Sequence, residues 1–191
     1  NACNQGCGFC LSSYIHFESS RGLSTFDRSL MPKEILTNLC EDFVYMGVKA
    51  VNWTGGGEPT INPHLKFAVN YLGENGVKMG IFTNGVLLDK HDLFDAFVDN
   101  MSWVRFSVDA GTPETYNEVR KVRPGQGWDK MVSNLKGLIE AKNRRASNMD
   151  IGVGFVMTPY SYQEIVDFAN FFKDIDVDYC QYKPEVVNKE R

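Results

Sequence analysis

The sequence predicts an α/β fold built from parallel β/α units. Short apolar runs rich in β-branched and aromatic residues recur along the chain, and segments with helical spacing lie between them. A third observation concerns chemistry. Each stretch of unusual residues falls at the end of a strand run or just before a helical one, the end of a β/α fold that carries active sites.

The strand runs lie at 50–53, 78–82, 103–108, 151–157 and 178–182. Most are apolar on both faces, as buried parallel strands are. Successive runs start roughly 25 to 50 residues apart, which leaves room for the crossover helix that a parallel connection requires. Helical spacing appears at Ile35, Leu39 and Phe43, after Pro32 and before Gly47, residues suited to a helix's start and stop. It recurs at Leu65, Ala68 and Leu72, at Leu93, Phe94 and Phe97, at Val132, Leu135 and Ile139, and at Ile165, Ala169 and Phe172. Periodicity alone fits a doubly wound open sheet as well as a curved or closed barrel.

The 191 residues are 43% hydrophobic and 23% charged, ordinary usage for one globular domain spanning residues 1–191. No apolar run reaches the roughly 18 residues needed to cross a membrane, and no secretory leader pattern opens the chain. A net charge of −4 argues against a nucleic-acid partner, although Lys142, Arg144 and Arg145 form a local basic cluster. Five cysteines, three of them within eight residues, fit a reducing cytoplasm better than a disulfide framework. The chain opens on Asn1, and a fragment of a longer protein is expected.

Cys3, Cys7 and Cys10 form C-x3-C-x2-C in the string CNQGCGFC. Three thiolates in a loop loosened by Gly6 and Gly8 can wrap one metal centre. A four-iron cluster normally takes four thiolates, so three would leave one iron open to another chelator. The alternatives are a structural Cys3His zinc site with His16 as fourth ligand, in a non-catalytic β/α binding domain, or a simple electron carrier. Cys40 and Cys180 sit inside a helical and a strand pattern and read as small core residues. Gly55, Gly56 and Gly57 expose backbone to a ligand with no Cβ in the way, and the carboxylate of Glu58 could orient an ammonium group nearby. Asn84 and Asp109 stand where such residues either meet a ligand or shape a turn. Arg120 and Arg123 suit a carboxylate through bidentate bonding, Arg120 being preferred. Gln181 and Lys183 end the last strand and could face a substrate. Tyr14, His16 and Phe17 read as loop packing.

The cysteine spacing, with aromatic Phe9 before the last cysteine, resembles the motif of the radical S-adenosylmethionine (SAM) superfamily. TGGGEP at residues 54–59 looks like that family's GGEP loop, residues 82–85 like its ITNG segment, and SVDAGTPETY at 107–116 like its SxDAGTxExY stretch. The resemblance implies a four-iron, four-sulfur (4Fe-4S) cluster on the three cysteines, partly buried behind Phe9, and SAM as cofactor. It places Gly55, Gly56, Gly57 and Glu58 near the methionine amino group, Ser107 near the ribose or carboxylate, and Arg120 against the carboxylate, with Asn84 and Asp109 as further contacts. It also implies a partial (β/α)6 TIM-like barrel whose first strand would precede Cys3 and is missing here. An electron from an external reductant such as flavodoxin or ferredoxin would then cleave SAM to a 5′-deoxyadenosyl radical that abstracts hydrogen from a small-molecule or peptide substrate. The SVDAGTPETY stretch is similar to SPASM-type members, but no cysteine-rich segment follows Lys183 that could build their auxiliary clusters.

Overall fold

Each strand run is a strand in the computed structural model, which describes residues 2–10, 29–122 and 127–185. In chain order the elements are α1 (Lys33–Tyr45), β1 (Ala50–Trp53), α2 (Leu65–Glu74), β2 (Lys78–Thr83), α3 (Phe94–Asn100), β3 (Met101–Ser107), α4 (Pro113–Arg120), α5 (Trp128–Arg144), β4 (Asp150–Met157), α6 (Ile165–Ile175) and β5 (Tyr179–Pro184). The strands form one sheet in the order β1-β2-β3-β4-β5, every pair parallel. Every connection therefore steps one strand in the same direction. With right-handed crossovers, that places the helices on one face. A barrel wall is wound this way, whereas a doubly wound sheet reverses its order. The sheet is the wall of a partial barrel.

The two faces differ as that winding demands. Towards the helices point Met79, Ile81, Val104, Phe106, Ile151 and Val153, each 1% exposed or less. They meet Leu72, Phe97, Leu135 and Phe168 in the core. The opposite face carries Phe82, Trp103, Arg105, Ser107, Gly154, Gln181 and Lys183. Two glycines there are dictated by space. A Cβ on Gly80 would stand 2.0 Å from the indole of Trp103, its register partner, and one on Gly152 would stand 2.2 Å from the ring of Tyr179, its own partner.

Several expectations shift in detail. Helix α1 buries Leu36 and Cys40, while Ile35 is 56% exposed, so its core face lies one residue on from the predicted stripe. Strand β1 alternates between exposed and half-buried residues because it is an edge of the described sheet. Helix α4 was not among the predicted helices. It is started by Thr112, whose side chain accepts the Thr115 N–H, with Pro113 in the first turn. The basic cluster is neutralised, since Lys142 pairs with Asp178, Arg144 with Asp95, and Arg145 with Asp95 and Asp99. Cys40 is a core residue at 1% exposure, and Cys180 packs half-buried against the same core. Tyr14, His16, Phe17 and Arg123 lie outside the described residues. No described helix is long and apolar enough to cross a membrane.

Candidate active site

Residues 2–10 belong to no helix or strand, so side chains and loop backbone must position the cysteines. The Ala2 carbonyl accepts the Glu58 N–H at 2.9 Å, and the Gly6 N–H donates to the Arg120 carbonyl at 3.1 Å. The Asn84 side-chain amide donates to Asn4 Oδ1 at 2.7 Å. The Gln5 amide donates to the Tyr116 hydroxyl at 2.9 Å. Within the loop, the Cys10 N–H donates to the Cys7 carbonyl at 3.2 Å. The loop is thus tied to the loops after β1 and β2 and to helix α4, at the carboxyl ends of the strands.

Arg120 organises the underside of this loop. It is 6% exposed, and it forms an ion pair with buried Asp109. Its Nε–H donates to the Val108 carbonyl at 3.3 Å, and Nη1 donates to Gln5 Oε1 and to Cys7 Sγ, each at 3.4 Å. Its guanidinium carbon stands 5.9 Å from the centre of the Phe9 ring. Asp109 is seated in a left-handed backbone conformation, φ 66°, and its Oδ1 accepts the Val156 N–H at 2.7 Å. The carboxylate beside Arg120 holds that guanidinium above its ordinary value against the cost of burial, so it stays charged. Burial pushes Asp109 up, opposed by Arg120 and the Val156 N–H. The carboxylate beside Arg120 is that of Asp109, and Arg120 also lines the cavity described below.

Glu58 is equally committed. Its Oε1 accepts the Thr60 N–H at 3.1 Å, the Thr60 hydroxyl at 2.7 Å and the Thr83 hydroxyl at 2.6 Å, and Oε2 accepts the Asn84 N–H at 2.6 Å. Asn84 closes an Asx turn by accepting the Val86 N–H at 3.1 Å. The Glu58 carboxylate thus clasps the loops after β1 and β2 together.

Most of the predicted residues line one of two cavities, while Cys3, Gly55 and Asn84 line neither. Cys7, Phe9, Cys10, Ser107, Asp109 and Arg120 line a cavity of about 230 Å³ over the inner face of β2 to β5, together with Phe82, Arg105, Gln181 and Lys183. Gly56, Gly57 and Glu58 line a second cavity of about 200 Å³ with Ala2 and helix α1. Gly55 takes φ 133°, where other residues are strained. The cysteine loop spans the two groups, with Ala2 on one and Cys7 on the other.

The donors suit a three-thiolate iron–sulfur site. Burial raises the thiols of Cys3 and Cys7; Arg120 works against it at Cys7, and the nearby Cys10 adds to the rise at both. Binding metal here would release protons. Cys7 and Cys10 line the cavity, and Cys3, Cys40 and Cys180 do not. Among those residues no three His, Cys, Asp or Glu side chains converge as single-ion ligands. A cube of iron and sulfide holds its thiolates further apart than one ion does, and Arg120 supplies a hydrogen bond of the kind that tunes such clusters. Sequence reasoning missed Asn4, Gln5, Thr60, Thr83 and Tyr116. Thr83, the last residue of β2, lies in the segment 82–85 already singled out but was given no role; the Gln5 to Tyr116 contact spans 111 positions and leaves no local trace.

Comparison with known proteins agrees with this geometry. The chain is 29% identical over 178 residues to the tungsten-containing aldehyde ferredoxin oxidoreductase cofactor-modifying protein of Pyrococcus furiosus, covering 92% of this chain and 47% of that one. It is 30% identical over 173 residues to mycofactocin maturase MftC of Mycobacterium ulcerans, covering 88% of this chain and 41% of the other. The chain thus spans about half or less of these relatives. The fold matches Streptococcus suis SuiB, solved bound to S-adenosylmethionine, with a TM-score of 0.71 at 20% identity over 98% of this chain and 39% of that one. The profile of the Radical SAM superfamily matches residues 1–172, and the chain belongs to that superfamily.

Proposed function

We propose that Cys3, Cys7 and Cys10 hold a 4Fe-4S cluster and that SAM binds beside it, in the part of the cavity bounded by Ser107, Asp109 and Arg120 and against the loop backbone at 55–57. When bound, the pair supplies reductive cleavage of a carbon–sulfur bond, giving a 5′-deoxyadenosyl radical that takes hydrogen from a small-molecule or peptide substrate. A flavodoxin or ferredoxin would deliver the electron. The observation that carries this reading is the seating of the cysteine loop over a cavity lined by Ser107, Asp109 and Arg120 at the carboxyl ends of β3 and β4.

The chain's own residues bind and orient. The loop at 55–57 offers backbone without Cβ atoms to the amino acid end of SAM, and Glu58 keeps that loop in register with Asn84. Ser107 offers a hydroxyl to the ribose or carboxylate. Arg120 holds Cys7 and Gln5 in place from below, so its contact with SAM would run through the loop it positions. Phe9, over the Arg120 guanidinium, shields that side of the loop from water.

The test is anaerobic reconstitution followed by dithionite reduction with SAM and no substrate. Slow release of 5′-deoxyadenosine and methionine is expected, with cluster content lost in Cys7→Ala and kept in Cys40→Ser and Cys180→Ser. Gly56→Val should bind SAM more weakly with its cluster intact. About one zinc and negligible iron per chain, or a folded, cluster-loaded, SAM-bound protein that never yields 5′-deoxyadenosine, would overturn the reading.

A further inference from the structure

Arg105 is a cation inside the barrel to which the proposed cofactor contacts give no role. The strand alternation of β3 puts Trp103, Arg105 and Ser107 on the inner face, and Arg105 lies two residues, roughly 7 Å of strand, below Ser107. Its plane is fixed by aromatic rings, with Cζ at 4.8 Å from the centre of Phe82, 5.2 Å from Tyr179 and 5.4 Å from Trp103. Its Nε–H donates to the Tyr179 hydroxyl at 3.0 Å, and Nη1 donates to Gln181 Oε1 at 2.5 Å. Both partners are neutral. Among the described residues the ion pairs involve other cations, and none includes Arg105.

The surroundings add charge of the same sign. Lys183 lines the same cavity, its Nζ 5.7 Å from the Phe82 ring centre. The other charged side chains there, Asp109 and Arg120, satisfy each other. Two positive charges are therefore left without a carboxylate. A guanidinium with two of its five N–H groups spent on neutral acceptors keeps three for a ligand, already oriented by stacking.

We propose that Arg105, with Lys183 beside it, binds an anionic oxygen group of the substrate, a carboxylate or a phosphate, within the barrel below the cysteine loop. This rests on the reading of the cavity as the SAM site, since it takes the space below Ser107 to be the substrate's.

The experiment is calorimetric titration of the cluster-loaded chain, saturated with SAM so that the cofactor's own carboxylate is already placed. Inorganic phosphate, acetate and neutral acetamide are the probes, at low ionic strength. One phosphate or acetate per chain is expected and no acetamide; the tighter of the two anions names the group. Arg105→Gln should weaken the anion about ten- to a hundredfold and Lys183→Gln severalfold, with SAM affinity unchanged in both. Lys183 is exposed at a strand end, so its variant tests the site even where Arg105→Gln does not fold. No anion bound by the parent chain, equal binding by both variants, or lost SAM affinity in Arg105→Gln would overturn the proposal. The titration can be repeated without SAM. Failure of 5′-deoxyadenosine release would therefore sink the proposed reaction while leaving the anion measurement standing.

Discussion

Replacing Glu58 with Gln should destabilise the protein before any cofactor is added. The carboxylate takes four hydrogen bonds, three at Oε1 and one from the Asn84 N–H at Oε2. An amide keeps one carbonyl oxygen and turns the other position into a donor. With Oε1 retained, NH2 faces the buried Asn84 N–H, which is left unsatisfied at a cost of about 1–3 kcal/mol. The remaining three bonds lose their charged acceptor, and bonds to charged groups run roughly 1 kcal/mol stronger than neutral ones. Relief from burying a charge offsets part of this, and about 3 kcal/mol remains. For a chain of this size that corresponds to a fall in Tm of roughly 6–12 °C. Thermal unfolding of the metal-free protein by circular dichroism measures it, with SAM affinity of the reconstituted variant measured alongside. An unchanged Tm with SAM binding sharply weakened would refute the clasp and return Glu58 to the role of an ammonium ligand.

Asp109→Asn leaves the Arg120 guanidinium buried without its partner and should cost about 3–5 kcal/mol in urea unfolding; adding Arg120→Met should recover part of that loss, and a double variant no better than the single would count against the pair. Asp178 accepts the Ile151 N–H at 2.6 Å and pairs with Lys142. Burial alone would raise its pKa, but these two partners outweigh it and hold the carboxyl below the ordinary range. A lowered folded pKa means that the stabilisation is present above the unfolded value near 4 and is lost as pH falls through the folded one. Asp178→Asn should cost about 1 kcal/mol at pH 7, and its unfolding curve should converge with the parent's under acid; a gap that persists undiminished there would place the effect elsewhere.

The element pattern was legible because it rests on burial. Leu65, Ala68 and Leu72 share one helix face, and all are buried in the core. The errors occur where burial gives two answers. Ile35 and Leu36 are adjacent and apolar, so either could head the stripe of α1; docking against α2 selected Leu36 and Cys40, the small thiol fitting where a larger side chain had seemed the better marker. Helix α4 has a mean composition too polar for its apolar face to stand out, but Thr112 followed by Pro113 was a legible start signal.

The candidate site was legible to a different depth. Candidate metal ligands and loop glycines stand out by residue type and spacing, as Cys3, Cys7, Cys10 and residues 55–57 do. Glu58, Asp109 and Arg120 could be found but not interpreted, because a carboxylate or guanidinium looks the same in sequence whether it meets a ligand or another side chain. Their partners are far along the chain, 25 residues for Glu58 and Thr83 and 113 for Arg120 and Cys7.

That arrangement has a physical consequence for the cysteine loop. Residues 2–10 gain nothing from a helix or a strand ladder, and their place depends on a few tethers to Glu58, Asn84, Tyr116 and Arg120. Each such bond contributes only about 1 kcal/mol net, comparable to the entropy of fixing one residue. The tethers can therefore choose where the loop sits without fully ordering it. Metal binding to the three thiols, as proposed, would supply the rest, so cluster affinity and loop order would draw on the same free energy. A change at Arg120, which touches Gln5, Gly6 and Cys7 at once, then weakens both together even though Arg120 is no metal ligand.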